Sequence, residues 1–530
     1  MSHTATKVAM HWIGGQWVDS HEHRDSINPA TGETIGSYAM GAPEDAQRAI
    51  DAAKRAFRET DWRTDRALRS RVLIRMAERF EERTDDLVEI LGLENGKVHP
   101  QGALEVAFAP ETLRFNAALA LTDVGTNSVV SAGELSMVVR QPVGVAGIIA
   151  PWNSPVALGI RSLAPALAAG CTAVMNLPRQ TAQTNSLMAE VIGETEGLPP
   201  GVANVITGGH VSGDLLVRSP EVPAISFTGS TGTGAQIGAA AADNFKRVGL
   251  ELGGKTPLLL FPDADLDQAL PIVVSALIVF SGQFCMTGSR LLVHEQIAED
   301  VRRDLARLLD AVKVGPAADP ESEMGPIISR HDVERIDNVV EDAVSRGAEV
   351  IVRGGPITDG PLAAGFFYRP TLLEASDNSL SIVQDEVFGP VLTMQTFSSE
   401  AEAIALANET IYGLSAAVFS RDVDIPLRVA LGLEAGSVWV NDWAKLHDQF
   451  EEGGFKGSDV GRMRGFAVMD DFIEFKHIRL QPERPLQSEA EERSHVDGDH
   501  RSREHRQGRG HASHGGRPGD CPRGGHAIRG

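Results

Sequence analysis

Val143-Gly144-Val145-Ala146-Gly147-Ile148-Ile149-Ala150, closed by Pro151-Trp152-Asn153-Ser154-Pro155, decides the fold. An unbroken apolar run of this length, bounded by prolines, is the pattern of a strand buried on both faces. Residues 156–168 then carry helical spacing up to Gly170, and 172–175 read as the next strand. Two further short strands follow at 203–206 and 224–227, with a helix at 236–242. Strands alternating with helices predict a parallel, doubly wound sheet that binds its ligand at the carboxyl ends of the strands. Toward the N-terminus, residues 12–37 hold the aromatic, glycine and Asn-Pro signals of strands and turns. Residues 46–57 and 68–93 have helical periodicity, and the Thr/Ser/Val-rich stretch 121–140 suggests an exposed hairpin.

Downstream the alternation restarts with a strand at 257–261, a helix from 266 to about 280 and a strand at 290–293. It continues to about Val440 and gives a second α/β lobe. The expected organisation is a dinucleotide-binding domain from 1–122 and 142–251, and a catalytic domain from 252–457. A small β element for oligomerisation comes from 123–141 and 458–486. Residues 487–530 are rich in Arg, His, Gly and Ser without apolar periodicity, so a disordered tail is expected there. Its scattered histidines are read as holding no metal.

Bulk properties narrow the function. A formal net charge of -23 argues against nucleic-acid or anionic-membrane partners, which call for a basic face. Three cysteines, Cys171, Cys285 and Cys521, cannot build a disulfide framework. No apolar run approaches a membrane span. A cytoplasmic protein is expected.

Three side chains offer chemistry in combination. Cys285, in Ser281-Gly282-Gln283-Phe284-Cys285-Met286-Thr287, supplies a soft nucleophile. Glu251, in Leu250-Glu251-Leu252-Gly253-Gly254-Lys255, supplies a general base, and Asn153 an amide donor for an oxyanion. Nucleophile, base and oxyanion donor are the minimum set for covalent chemistry on a carbonyl. Phe227-Thr228-Gly229-Ser230-Thr231-Gly232-Thr233-Gly234 adds a small-residue turn suited to a pyrophosphate at a helix N-terminus.

With these motifs in order, the chain resembles the aldehyde dehydrogenase superfamily from about Trp12 to about Gln481. Asn28-Pro29-Ala30-Thr31-Gly32-Glu33, Glu386-Val387-Phe388-Gly389-Pro390 and Gly453-Gly454-Phe455-Lys456 extend the likeness. The resemblance implies oxidation of an aldehyde to the free acid with NAD or NADP, through a thiohemiacetal and then a thioester on Cys285. Glu251 would activate the hydrolytic water, and Asn153 with the Cys285 backbone N–H would hold the oxyanion. It places Trp152, Asn176, Arg179, Gly229, Ser230, Glu386 and Phe388 at the cofactor, and Leu158, Arg161, Phe284, Met286, Trp443 and 450–452 along the substrate channel. Apolar residues there favour an apolar or aromatic aldehyde, and Arg161 is expected to pair with Glu451 or Glu452 in preference to a substrate carboxylate. It also pairs a final strand at 470–480 with the hairpin of another subunit, hence a homodimer or homotetramer.

Several positions depart from the family pattern. Asn176 stands where a ribose-binding lysine is usual and Arg179 where NAD-preferring members often carry glutamate, so the choice of NAD or NADP stays open. Ser162 and Met463 replace a lysine and a glutamate that can relay a proton from the base, leaving Glu251 dependent on water alone. Asp459 replaces a glycine, where a side chain would strain the turn. A cofactor-independent thiol esterase and a non-catalytic oligomeric homologue are the alternatives to a dehydrogenase.

Overall fold

The computed structural model describes residues 8–122, 124–131 and 134–480. The expected tail at 487–530 lies outside them.

The run that opened the sequence reading forms the strand Val145–Ile149, at the centre of an eight-stranded sheet. Thr172–Pro178 and Ala203–Gly208 lie parallel to it on one side. Ala224–Thr228 and Arg247–Glu251 lie parallel on the other. Strand order therefore reverses beside Val145–Ile149, which opens a crevice at the carboxyl ends of the central strands. His11–Ile13 and Gln16–Val18 extend one edge antiparallel. At the other edge lies Asp459–Val460, which the sequence groups with the small β element but which pairs antiparallel with Arg247–Glu251.

Pro155–Ala169 packs on this sheet and is buried along nearly its whole length. Gly170 ends it in the left-handed conformation, φ 100°, that glycine adopts without a Cβ penalty. The expected helix over 68–93 is two helices, Arg66–Glu82 and Thr84–Glu94, broken at Arg83. A 24-residue helix, His99–Thr122, was not foreseen. Phe80, Leu113, Ile148, Ile160 and Met175 meet in the core of this lobe, each almost wholly buried. Burial of each such side chain is worth roughly 1.5–3 kcal/mol.

The second lobe holds a seven-stranded sheet in the order Glu349–Val352, Thr371–Glu374, Val391–Phe397, Gly288–His294, Thr256–Leu260, Ser415–Phe419 and Ser437–Val440. All neighbours are parallel except the first pair. Leu258, Leu260, Val273, Leu277, Leu291 and Met394 form its core. Both lobes are thus doubly wound α/β structures.

A third sheet orders Ile473–Leu480, Glu134–Pro142 and Thr126–Ser131. The final strand begins at Ile473 rather than 470, because Val468, Met469 and Phe472 are buried in a preceding 3₁₀ turn. It lies in a sheet of its own chain, where the resemblance implied a hairpin from another subunit. In the smaller unit, Arg479 is ion-paired with Glu134.

Candidate active site

Cys285 stands in the turn between the helix Leu266–Ile278 and the strand Gly288–His294. It therefore lies at the amino ends of the second sheet's strands, unlike the carboxyl-end placement expected for a doubly wound lobe. The turn is entered through three consecutive left-handed residues, Phe280, Ser281 and Gly282, with φ of 49°, 59° and 73°. A non-glycine residue held there costs about 1–2 kcal/mol, so contacts must fix it. Phe280 N–H donates to Gln101 Oε1 at 3.0 Å and Ser281 Oγ donates to the Gly325 carbonyl at 2.8 Å. Gln283 donates to the Phe280 carbonyl at 3.0 Å and accepts the Ile328 N–H at 2.9 Å.

Asn153 reaches this turn from the carboxyl end of Val145–Ile149. Its Nδ2 donates to the Gln283 carbonyl at 2.9 Å, two residues before the cysteine. Lys97, which sequence reasoning missed, anchors Asn153 from behind. Its ammonium donates to the Asn153 carbonyl at 2.5 Å and to Ser154 Oγ at 3.3 Å, pairs with Glu105, and lies 3.8 Å from the centre of the Phe280 ring. Asn95 donates to the Trp152 carbonyl at 2.7 Å. Both supports lie in the loop after Thr84–Glu94; the only cue in the sequence was the polar run Glu94-Asn95-Gly96-Lys97 after an apolar helix.

Glu251 ends its strand fully buried. Burial pushes its carboxyl well above the ordinary carboxylate range; Arg161 opposes this, while Asp459 and Glu452 add to it. Burial likewise raises the Cys285 thiol well above its usual value, with Arg161 as the opposing cation and Glu452, Glu386 and Glu251 adding to the rise. The structure thus gathers Cys285, Glu251 and Asn153 from three separate segments.

Arg161 is not free to meet a substrate carboxylate. Its Nη1 donates to Glu452 Oε1 at 2.9 Å and its Nη2 to Thr228 Oγ1 at 3.0 Å, all of it buried. The expected pairing is with Glu452; Glu451 accepts the Phe466 N–H instead. Met286 is wholly buried, and its carbonyl accepts the Trp443 indole N–H at 3.0 Å. Phe284 meets Trp443 edge to face at 6.0 Å and Phe280 at 5.6 Å.

Two expectations around Glu251 are corrected. Asp459 does not strain its turn: its φ of -162° is extended backbone that any residue adopts. Nor is Glu251 left with water alone. Ser162 accepts a hydrogen bond from Ser226 and Met463 is buried, but Asp459 stands directly opposite Glu251 in the strand register, and its carboxyl bears on that of Glu251.

Glu386 lies against the Gly253-Gly254 turn, accepting the Gly254 N–H at 3.3 Å. A Cβ on Gly253 would come within 2.5 Å of the Glu386 carboxylate, and one on Gly254 within 2.4 Å of the Cys285 carbonyl. Burial raises the Glu386 carboxyl to about 7, against the Gly254 N–H and Lys255. Phe388 and Trp152 meet edge to face, 5.6 Å between ring centres.

A cleft of about 1060 Å³ opens at the carboxyl ends of the central strands. Ile149, Phe227, Ile237 and Val217 make its apolar walls; Asn176, Arg179 and Arg24 are among its polar ones. Gly229 and Ser230 begin the helix Thr231–Ala242 beside it, where Ser230 Oγ caps the Thr233 N–H at 3.3 Å. A side chain at Gly229 would collide with the Phe227 ring at 2.5 Å, and one at Gly232 would meet open space. A cleft with apolar walls beside a helix N-terminus fits a dinucleotide. Asn176 lines it with its amide already engaged: Oδ1 accepts from Ser212 at 2.8 Å and Nδ2 donates to Gly209 at 3.4 Å.

A sequence model described as the Aldehyde dehydrogenase family matches residues 17–478. Betaine aldehyde dehydrogenase of Bacillus subtilis is 38% identical over 473 residues, covering 88% of this chain and 96% of that protein. Phenylacetaldehyde dehydrogenase of Pseudomonas fluorescens is 37% identical over 472 residues, 87% and 93% of the two chains. The crystal structure of betaine aldehyde dehydrogenase from Staphylococcus aureus in complex with NAD+ is 36% identical, with a TM-score of 0.87 over 90% of this chain and 96% of that one. Fold, site geometry and sequence likeness agree, and the chain belongs to the aldehyde dehydrogenase family.

Proposed function

We propose that the protein oxidises an aldehyde to the free carboxylic acid with NAD or NADP, through a covalent adduct on Cys285. The observation that carries this is the 2.9 Å bond from Asn153 Nδ2 to the Gln283 carbonyl, which brings an amide donor to the cysteine turn. Cys285 Sγ attacks the aldehyde carbon as its thiol proton passes to water, and the Asn153 amide with the Cys285 N–H receives the oxygen as it becomes anionic. A nicotinamide, when bound, takes the hydride that the carbon loses. The resulting thioester is hydrolysed by water whose proton passes to Glu251. Gly229, Ser230, Asn176, Arg179, Trp152, Glu386 and Phe388 are proposed to hold the cofactor, supported by the cleft and by the NAD+ complex of the staphylococcal relative.

The proposed substrate has an apolar or aromatic body, since Phe284 and Trp443 offer two rings edge to face near the cysteine. A homodimer or homotetramer is proposed as well, supported by Val129 and Val130, exposed at 70% and 58% in the strand Thr126–Ser131. A cytoplasmic site is proposed because a working thiol needs a reducing compartment.

Cofactor reduction with phenylacetaldehyde, betaine aldehyde and short aliphatic aldehydes, with NAD and with NADP, beside Cys285→Ala, tests the assignment. Cysteine-dependent reduction, fastest with the aromatic aldehyde, is expected. Reduction that survives Cys285→Ala would overturn it, and a preference for betaine aldehyde would overturn the substrate class.

A further inference from the structure

Glu251 lies opposite Asp459 where Arg247–Glu251 pairs with Asp459–Val460. Both are buried, and neither Glu251 Oε1 nor Asp459 Oδ1 finds a donor among the described residues. Two buried carboxyls set opposite one another, with no other donor to these oxygens, hold a proton in common, because an ionised carboxylate only accepts. Asp459 Oδ2 accepts the Gly454 N–H at 3.0 Å, so Asp459 is fixed on its outer side.

Two residues further along the ladder, Gly249 and Gly461 face each other: a Cβ on Gly461 would lie 3.5 Å from the Gly249 Cα. The carboxylate of Asp471 fills the slot these glycines leave, 2.7 Å from where a Cβ on Gly249 would be and 3.2 Å from one on Gly461. Side chains alternate with period two along a strand, so Asp471 covers the same face as the Glu251–Asp459 pair. Backbone positions two apart on a strand are separated by about 7 Å, and the Asp459 charge acts on the Asp471 carboxyl across that interval. Asp471 is partly exposed, whereas Glu251 is not.

We propose that Asp459 and Asp471 carry away the proton that Glu251 takes from the hydrolytic water, so that three carboxyl groups on one strand face lead from the buried site to solvent. The inference rests on Glu251 being the base for deacylation. In that step the water oxygen bonds to the thioester carbon, the carbon–sulfur bond breaks and Cys285 leaves as thiolate. The water proton joins the proton already held by Glu251 and Asp459, and the surplus moves through Asp471 to bulk water. The charges facing this path are Arg161 from Pro155–Ala169, Glu452, Arg462, Asp470, and Arg247 from the strand itself. Burial, Asp459 and Asp470 raise the Asp471 carboxyl to about 7 against the pull of Arg247, which suits a group that must both take and release a proton near neutrality.

The test compares full-length Asp471→Asn, Asp459→Asn and Glu251→Gln by stopped-flow formation of reduced cofactor and by steady-state rate against pH. In Asp471→Asn the pre-steady-state burst is kept, steady-state turnover falls about tenfold, the limb of the pH profile near 7 disappears, and small buffer acids restore part of the rate. Asp459→Asn, which keeps the shape of the side chain, shows a larger fall with the burst intact. Asp471→Asn with turnover within twofold and an unmoved pH limb, alongside an inactive Glu251→Gln, would overturn the exit path alone. Turnover retained in Glu251→Gln would overturn the role of Glu251 and the path with it.

Discussion

Gly282 carries a burden that no other residue type can take over. Its φ of 73° is left-handed, and a Cβ there would stand 2.3 Å from the Gly389 carbonyl carbon and 2.5 Å from the Pro390 nitrogen. Those are backbone atoms, which cannot move aside cheaply. The same contact joins the cysteine turn to the loop that bears Glu386 and Phe388. Gly282→Ala is expected to destabilise the protein by about 3 kcal/mol or more, read as a lowered denaturation midpoint. In the fraction that folds, Cys285 should label with a thiol reagent at a changed rate. At the same scale, Glu251 predicts the pH dependence. Its carboxyl is raised by burial and by Asp459, so the ionised base is scarce below its raised value and gains as pH rises. The hydrolytic rate, measured as steady-state turnover when a burst shows deacylation to be slow, should therefore climb with pH past the ordinary carboxylate range. A rate already flat from pH 5 upward would contradict it. Cys285, Glu251 and Asn153 were legible in the sequence because each sits in a short motif. Asp459 was visible only as a departure, since its use depends on a two-residue strand whose pairing partner lies more than two hundred positions upstream.

Elements are joined behind the site by a line of buried charge. Arg161 on Pro155–Ala169 donates to Glu452, Glu452 accepts Arg464 Nε at 2.6 Å, Arg464 also pairs with Asp448, and Asp448 accepts Thr112 of His99–Thr122 at 3.1 Å. Two cations and two anions alternate, so the line is neutral as long as it is whole. Arg464→Met would strip a partner from both carboxylates, and breaking a buried pair from one side costs about 3–5 kcal/mol. Denaturant titration should show that loss. Arg161 and Arg464 hold the Glu452 carboxyl below its ordinary value despite burial. A lowered folded-state value gives stability that is complete above 4.5 and is lost as pH falls through the lower value. This same line explains what the sequence hid. His99–Thr122 buries Glu105, Thr112 and Asn116 among Val106, Leu113 and Ala117 and contains Pro110, so the apolar stripe of its inward face is interrupted by polar residues. Pro155–Ala169, by contrast, is apolar nearly throughout and ends at a glycine, and it was read almost to the residue.

Across the whole molecule, the cofactor cleft gathers residues that no local motif could connect. Arg24 comes from the strand His23–Ile27, Arg179 from the end of Thr172–Pro178, and Val217 from the helix His210–Arg218. Alternation of strands and helices made the crevice foreseeable; the convergence of Arg24 on it depends on the tertiary fold. Arg24 is tied to Glu22 at 2.7 Å, and Arg218 to Asp214 at 2.9 Å, so each of these two guanidinium groups is already neutralised by its own carboxylate. Arg179 is exposed at the rim, two residues beyond Leu177, and its charge acts on Tyr38. A guanidinium at the rim with Asn176 bonded inward favours a ligand that brings its own negative charge, such as the 2′-phosphate of NADP. A charge-assisted bond of this kind is worth about 1.5–3 kcal/mol, or roughly tenfold to a hundredfold in affinity. Michaelis constants for NAD and NADP are thus expected to lie within a hundredfold of each other in the unaltered protein. Arg179→Glu should raise that for NADP at least tenfold while moving that for NAD by no more than a few-fold. If NADP is already more than a hundredfold weaker before any substitution, Arg179 is a solvated rim charge and the cleft is built for NAD.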